Sequence, residues 1–230
     1  MPTTHQPDHQ LLDRDGRATF LSHFLASHRA FRRDAARFPI ALRRIGTDRA
    51  PATDALRRHW ADYNAALAYH HHMEDEQLFP ALRHLDGALA PMIDTLLAQH
   101  HDLDSTIAEV EELLSLLPST EAAGPAALAC EDLAAALGAH LDLEEEHLVP
   151  VLRATGFEPD HGDRSEQEET HEGQQQPDDN PLAFLLPWTT EGLDPETVAA
   201  LLDAGPPAIE ASVADWQADY TDRLTRWWWP

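Results

Sequence analysis

The sequence predicts an all-α protein built around an up-down-up-down antiparallel four-helix bundle, and three observations carry that expectation. Apolar residues recur at steps of three and four through four successive segments, the period of a helix that buries one face. The breaks between segments are short and rich in Gly and Pro, which favours antiparallel neighbours. A helix pair is also duplicated within the chain.

The first segment, about residues 17–45, places Phe24, Leu25, His28, Phe31 and Ala35 on one face. The second runs Leu56, Trp60, Tyr63, Leu67, His70, Glu74, Leu78, Ala81. The third, the most regular, runs Leu89, Ile93, Leu96, His100, Leu103, Ile107, Val110, Leu114, Leu117. The fourth runs Ala126, Cys130, Leu133, Leu137, His140, Glu144, Leu148, Val151. Breaks fall at Gly46 to Pro51, at Asp86-Gly87 with Pro91 opening the next helix, and at Pro118 to Pro125. Pro80 and Pro150 come late in helices two and four, where a missing amide and a bulky ring kink or end a helix.

These elements divide the chain into an N-terminal extension at 1–16, the bundle at 17–155, a linker at 156–180 and a helical C-terminal extension at 181–230. The linker is rich in acids, Gln and Gly and nearly devoid of apolar residues, a composition that predicts disorder. In the extension, Asp194-Pro195 reads as an N-cap and first-turn pair. Pro206-Pro207 separates two amphipathic helices ending near Trp227, and the Trp227 to Trp229 cluster is best used packing that last helix on the bundle.

Of 230 residues, 43% are apolar, enough for a core, while 41 acidic against 16 basic residues leave a net charge of -25. Such a charge repels phosphate backbones, so nucleic acid is not an expected partner. It is unevenly spread: residues 1–60 hold 11 Arg against 6 acids, and 101–180 hold 2 Arg against 21 acids. No uncharged apolar run approaches the roughly 18 residues a membrane span needs. Cys130 is the single cysteine and no charged-then-apolar leader is visible, so the expected compartment is cytoplasmic.

The duplication pairs HHHMEDEQLFPALR at 70–83 with HLDLEEEHLVPVLR at 140–153, and FLASHRAF at 24–31 with LLAQHHDL at 96–103. His28 thereby corresponds to His100, His70 to His140 and Glu74 to Glu144. A His and a Glu four residues apart stack one turn apart on the same helix face. Two such pairs facing each other, with His28 and His100, gather four imidazoles and two carboxylates inside an apolar stripe. Burying them without a cation is costly, and a metal removes the difficulty. The mixture of imidazole and carboxylate fits iron or manganese better than a closed, Cys-rich structural zinc site.

The order His, His-xxx-Glu, His, His-xxx-Glu over residues 17–155 resembles the hemerythrin HHE cation-binding family, and HHHMEDEQLFPAL is especially similar to that family's second helix. The resemblance implies that His28, His70, Glu74, His100, His140 and Glu144 ligate a non-haem di-iron centre of two iron ions, with both glutamates bridging and room for an oxo bridge. It also makes His71, beside His70, a candidate additional ligand. Oxygen-carrying members have His-xxx-His on the third helix and His-xxxx-Asp on the fourth, whereas this chain has Asp104 after His100 and uses Glu144. Oxygen transport is therefore not what the resemblance implies.

The expected function is binding or sensing of a small diatomic or redox ligand: oxygen, nitric oxide or peroxide. Two alternatives stand beside it: a di-iron oxidoreductase acting on peroxide or nitric oxide, and a zinc-binding or metal-storing interaction protein. Whether the chain turns anything over stays open, and the sequence names no protein partner. His72, Glu76 and His101 lie off the apolar stripes and are left outside the site. Of the run Glu144-Glu145-Glu146, only Glu144 is read as facing inward, and His147 is read as a supporting donor or a solvated residue.

Overall fold

In the computed structural model, the structure describes residues 11–45, 50–158, 180–204 and 210–228. Most of the expected linker, the first ten residues of the N-terminal extension, the start of the first inter-helix break, Pro206-Pro207 and Trp229 lie outside the described residues. The helices are α1 (Phe20–Arg44), α2 (Ala50–Met73), α3 (Phe79–Leu85), α4 (Ala90–Ser115), α5 (Thr120–His147), α6 (Val149–Thr155), α7 (Leu182–Thr190), α8 (Pro195–Asp203) and α9 (Glu210–Trp227). No strand occurs among the described residues.

Both late prolines interrupt their helices, in related ways. Pro80 has no amide to offer Glu76 and its ring crowds that carbonyl. The chain answers with a π-helical turn over Glu74–Leu78, in which the Phe79 amide donates to the Glu74 carbonyl, and α3 then starts with Pro80 in its first turn. At Pro150 the break is a single residue, Leu148, whose amide still donates to the Glu144 carbonyl at 2.7 Å. Single π turns recur at functional sites, and this one opens on Glu74.

Elsewhere the caps follow the sequence. Asp86 leaves the helical region and accepts from the Ala88 amide, turning the chain through a 3₁₀ turn (Gly87–Leu89) into α4. Asp194 caps α8 by accepting from the Glu196 and Thr197 amides. One boundary differs from expectation: Ser119 caps α5 so that it starts at Thr120, which puts Pro125 inside the helix instead of in the break.

The described chain separates into two compact units: 28–154 with 221–230, and 1–27 with 155–220, each taken over its described residues. In the first, the stripes meet as a core of Phe31, Phe38 and Leu42 from α1, Leu56, Trp60, Tyr63 and Leu67 from α2, Ile93, Leu96, Leu103 and Val110 from α4, and Leu133, Leu137 and Leu141 from α5, all buried. Arg57 of α2 donates to the carbonyls of Leu114, Ser115 and Leu117, satisfying the open end of α4. A second polar cluster is buried between α1 and α2. Asp34 Oδ2 lies 2.7 Å from His59 Nε2, and its Oδ1 accepts from Arg33 and Arg37 at 3.0 Å each. Trp227, at the end of α9 and fully buried, stacks on Phe38 at 5.4 Å and lies against His59 at 4.6 Å. The expected packing of the last helix's tryptophan is thus seen at Trp227.

In the second unit, the Phe184 and Trp188 rings of α7 stack at 5.3 Å, and the Tyr220 hydroxyl donates to Glu191 at 2.8 Å. No helix among the described residues is long and apolar enough to cross a membrane.

Candidate metal centre

Six side chains named from the sequence converge within the first unit. His28 comes from α1, His70 from α2, Glu74 from the π turn that follows it, His100 from α4, and His140 and Glu144 from α5. His28, Glu74, His100, His140 and Glu144 are buried and His70 nearly so. His28 Nε2 and His70 Nε2 are 3.1 Å apart, as are His100 Nε2 and His140 Nε2.

The two carboxylates lie between these imidazole pairs. Glu74 places Oε1 at 3.2 Å from His70 Nε2 and Oε2 at 3.5 Å from His100 Nε2. Glu144 places Oε1 at 3.4 Å from His140 Nε2 and Oε2 at 3.5 Å from His28 Nε2. Each glutamate thus presents one oxygen to each half of the site. None of these four buried oxygens has a hydrogen-bond partner.

His71 joins the cluster. Its ring stacks on His100 at 3.9 Å, it is buried, and its Nε2 has no hydrogen-bond partner. Two groups of donor atoms close enough to share an ion result: His71, Glu74, His100 and His140, and His28, His70, Glu74 and Glu144. His72, Glu76 and His101, left outside the site, are exposed, and so is Asp104.

The outer nitrogens fix the imidazole tautomers. His28 Nδ1 lies 3.0 Å from Glu145 Oε1, His100 Nδ1 2.8 Å from Asp75 Oδ1, and His140 Nδ1 3.0 Å from Gln99 Oε1. Each partner is an acceptor, so each Nδ1 carries the hydrogen and each Nε2 is left with a bare lone pair. His100 and His140 therefore point two lone pairs at each other across 3.1 Å. Two acceptors at that distance repel unless a cation stands against them.

Electrostatics agree. Burial lowers the proton affinity of all these imidazoles, against the raising effect of Glu145 on His28 and of Asp75 on His100, and neighbouring histidines lower that of His70, His71 and His140 further, to about 3 for His71 and about 2 for His140. They are neutral at pH 7 and free to donate electron pairs. Burial, with Glu144 alongside, pushes the Glu74 carboxyl well above the ordinary range, and burial pushes Glu144 up to about 8. Partnerless carboxylate oxygens, inward lone pairs and neutral imidazoles are what a pair of cations would satisfy, so the donor set fits metal.

Sequence reasoning missed the outer partners. Glu145 was read as solvated charge, yet its side chain is 17% exposed and bonds both His28 and Arg32. Asp75 and Gln99 were not singled out. The available signal was the duplication itself, which places an acid directly after each inward glutamate, at 75 and 145.

A helical core holding paired His-xxx-Glu turns and two further inward histidines defines a cation-binding helical domain. The family model described as hemerythrin HHE cation binding domain matches residues 19–152, and the chain belongs to that family. No curated protein and no solved structure matches the chain.

Proposed function

We propose that the protein carries a non-haem di-iron centre and binds or senses a small ligand, namely oxygen, nitric oxide or peroxide. The observation that carries the reading is the inward set of lone pairs, His100 Nε2 facing His140 Nε2 at 3.1 Å between carboxylates whose oxygens lack partners. In this reading His28, His70, Glu74, His100, His140 and Glu144 hold the two ions, His71 adds a further nitrogen, and the two glutamates are shared. The helices that carry them form an up-down-up-down antiparallel bundle spanning residues 17–155, with 181–230 as an appended helical segment, in a cytoplasmic protein. Bound there, iron would supply reversible one-electron chemistry and open positions for a small ligand.

The chain's own contribution is to prepare the site. Glu145, Asp75 and Gln99 hold protons on the outer nitrogens and so keep the inner ones free. Phe31 packs on His70 at 5.2 Å and Phe79 stacks on His100 at 5.7 Å, walling the imidazoles with apolar surface. The test is metal content by mass spectrometry on protein from iron-replete cells, with optical spectra of oxidised and reduced forms. Near two irons per chain, with spectra that change on adding oxygen, nitric oxide or peroxide, is the expected result. Stoichiometric zinc, or no bound metal, would overturn it.

A further inference from the structure

We propose that the two metal positions are unequal, and that the group His71, Glu74, His100 and His140 takes up a divalent cation before the group His28, His70, Glu74 and Glu144. The inference rests on the metal-binding reading above.

The duplication makes the two positions alike in plan. The outer acids cross over: Asp75, from the first repeat, bonds His100 of the second, and Glu145, from the second, bonds His28 of the first. A carboxylate behind a ligating imidazole raises its donor strength. By plan alone the positions would match.

They diverge one turn beyond the first histidine of each repeat. His28 is followed four residues on by Arg32, and His100 by Asp104. Arg32 Nη1 lies 2.5 Å from Glu145 Oε1, the same oxygen that serves His28, and its Nη2 lies 2.6 Å from Asp142. The guanidinium therefore draws off the charge that would strengthen His28. On the other side Asp75 serves His100, and Asp104 adds a second negative charge where the first repeat has a cation.

The inner donors point the same way. Glu74 is common to both groups and turns one oxygen to each side, whereas Glu144 counts only in the second, so the groups differ as three imidazoles with one carboxylate against two with two. The first-loading group has three imidazoles against two, because His71 offers its partnerless Nε2 there. More imidazoles and a more negative surround both favour a borderline divalent ion.

The test is titration of the metal-free, full-length chain with cobalt(II), read by its visible bands against a competing chelator, with bound metal counted by mass spectrometry. The wild type should fill in two steps at least roughly tenfold apart, the span typical of outer partners. Arg32→Gln should strengthen the second step by roughly tenfold and leave the first, whereas Asp104→Asn, at an exposed position, should weaken the first. A wild type that holds one cobalt and gains a second on Arg32→Gln would support the inference equally. Two equal steps in the wild type, or an unchanged second step in a folded Arg32→Gln protein, would overturn it. A wild type that binds no cobalt would overturn the metal-binding reading, and this inference with it.

Discussion

Metal binding should expel protons, in a number that the buried carboxylates set. In the metal-free protein burial pushes Glu144 up to about 8 against an ordinary 4.5, and Glu74 is raised as well. A cation needs the ionised oxygens, so the protons must leave. For Glu144 alone the release is close to one proton at pH 6.5, about half at pH 8 and about a tenth at pH 9. Glu74 brings the total at pH 6.5 to between about one and two. Through Glu144 alone, each pH unit below 8 should therefore weaken binding roughly tenfold, about 1 kcal/mol at pH 7, and Glu74 steepens the dependence. His71 and His140, at about 3 and about 2, are already neutral and contribute none. The assay is calorimetric titration of the metal-free chain with zinc in pairs of buffers that differ in ionisation enthalpy, whose slope counts protons directly. A count near zero at pH 6.5 would mean the glutamates are already ionised and would refute the reasoning. A release that ends near pH 6.5 instead of pH 8 would assign it to histidines and refute it equally.

The same carboxylates govern the stability of the metal-free protein. A carboxyl whose folded value is raised loses stability as pH climbs from its ordinary value through the raised one; histidines with depressed values act only below their ordinary 6.5. Between pH 6.5 and 8 Glu144 should by itself cost about 2 kcal/mol, and Glu74 acts in the same direction, seen as a falling melting temperature that bound zinc abolishes. Glu74→Gln removes a carboxylate common to both donor groups, so metal content after dialysis should drop below one ion per chain while the metal-free melting temperature holds or rises. Asp34→Ala strands His59, Arg33 and Arg37 around an emptied site and should cost about 3 kcal/mol in denaturant unfolding, with metal stoichiometry unchanged. Trp227→Ala opens a cavity against Phe38 and His59 and should cost about 3–5 kcal/mol by the same measurement, which an unchanged midpoint would contradict.

The inward faces were legible because helical periodicity is a property of one segment at a time. Leu56, Trp60, Tyr63 and Leu67, with His70 and Glu74 in register, needed no knowledge of any other helix to be read as one buried stripe. Glu145 was not legible on those terms, since it lies one residue off the stripe of α5 and its own helix gives no reason to bury it. The reason sits 117 residues away, in His28 of α1. The outer shell of such a site is thus a property of pairs of helices, and periodicity within one helix does not encode it.

His71 shows the intermediate case. Two adjacent residues on a helix point about 100° apart, so a single stripe admits one of them. A helix packed between two neighbours has two inward directions, and α2 is placed so: His70 meets His28 of α1, while His71 stacks on His100 of α4. The run His70-His71-His72 is then a reading of the helix's surroundings, with two residues turned to two different partners and His72 exposed. What the sequence does carry is the duplication, which makes every departure from symmetry informative. Pro80 and Pro150 preserve it and both break their helices; Asp75 and Glu145 preserve it and both hold an imidazole; Arg32 and Asp104 violate it at corresponding positions beside His28 and His100. Divergence at an outer position, over an inner set held in common, is how a duplicated helix pair would come to hold two ions on different terms.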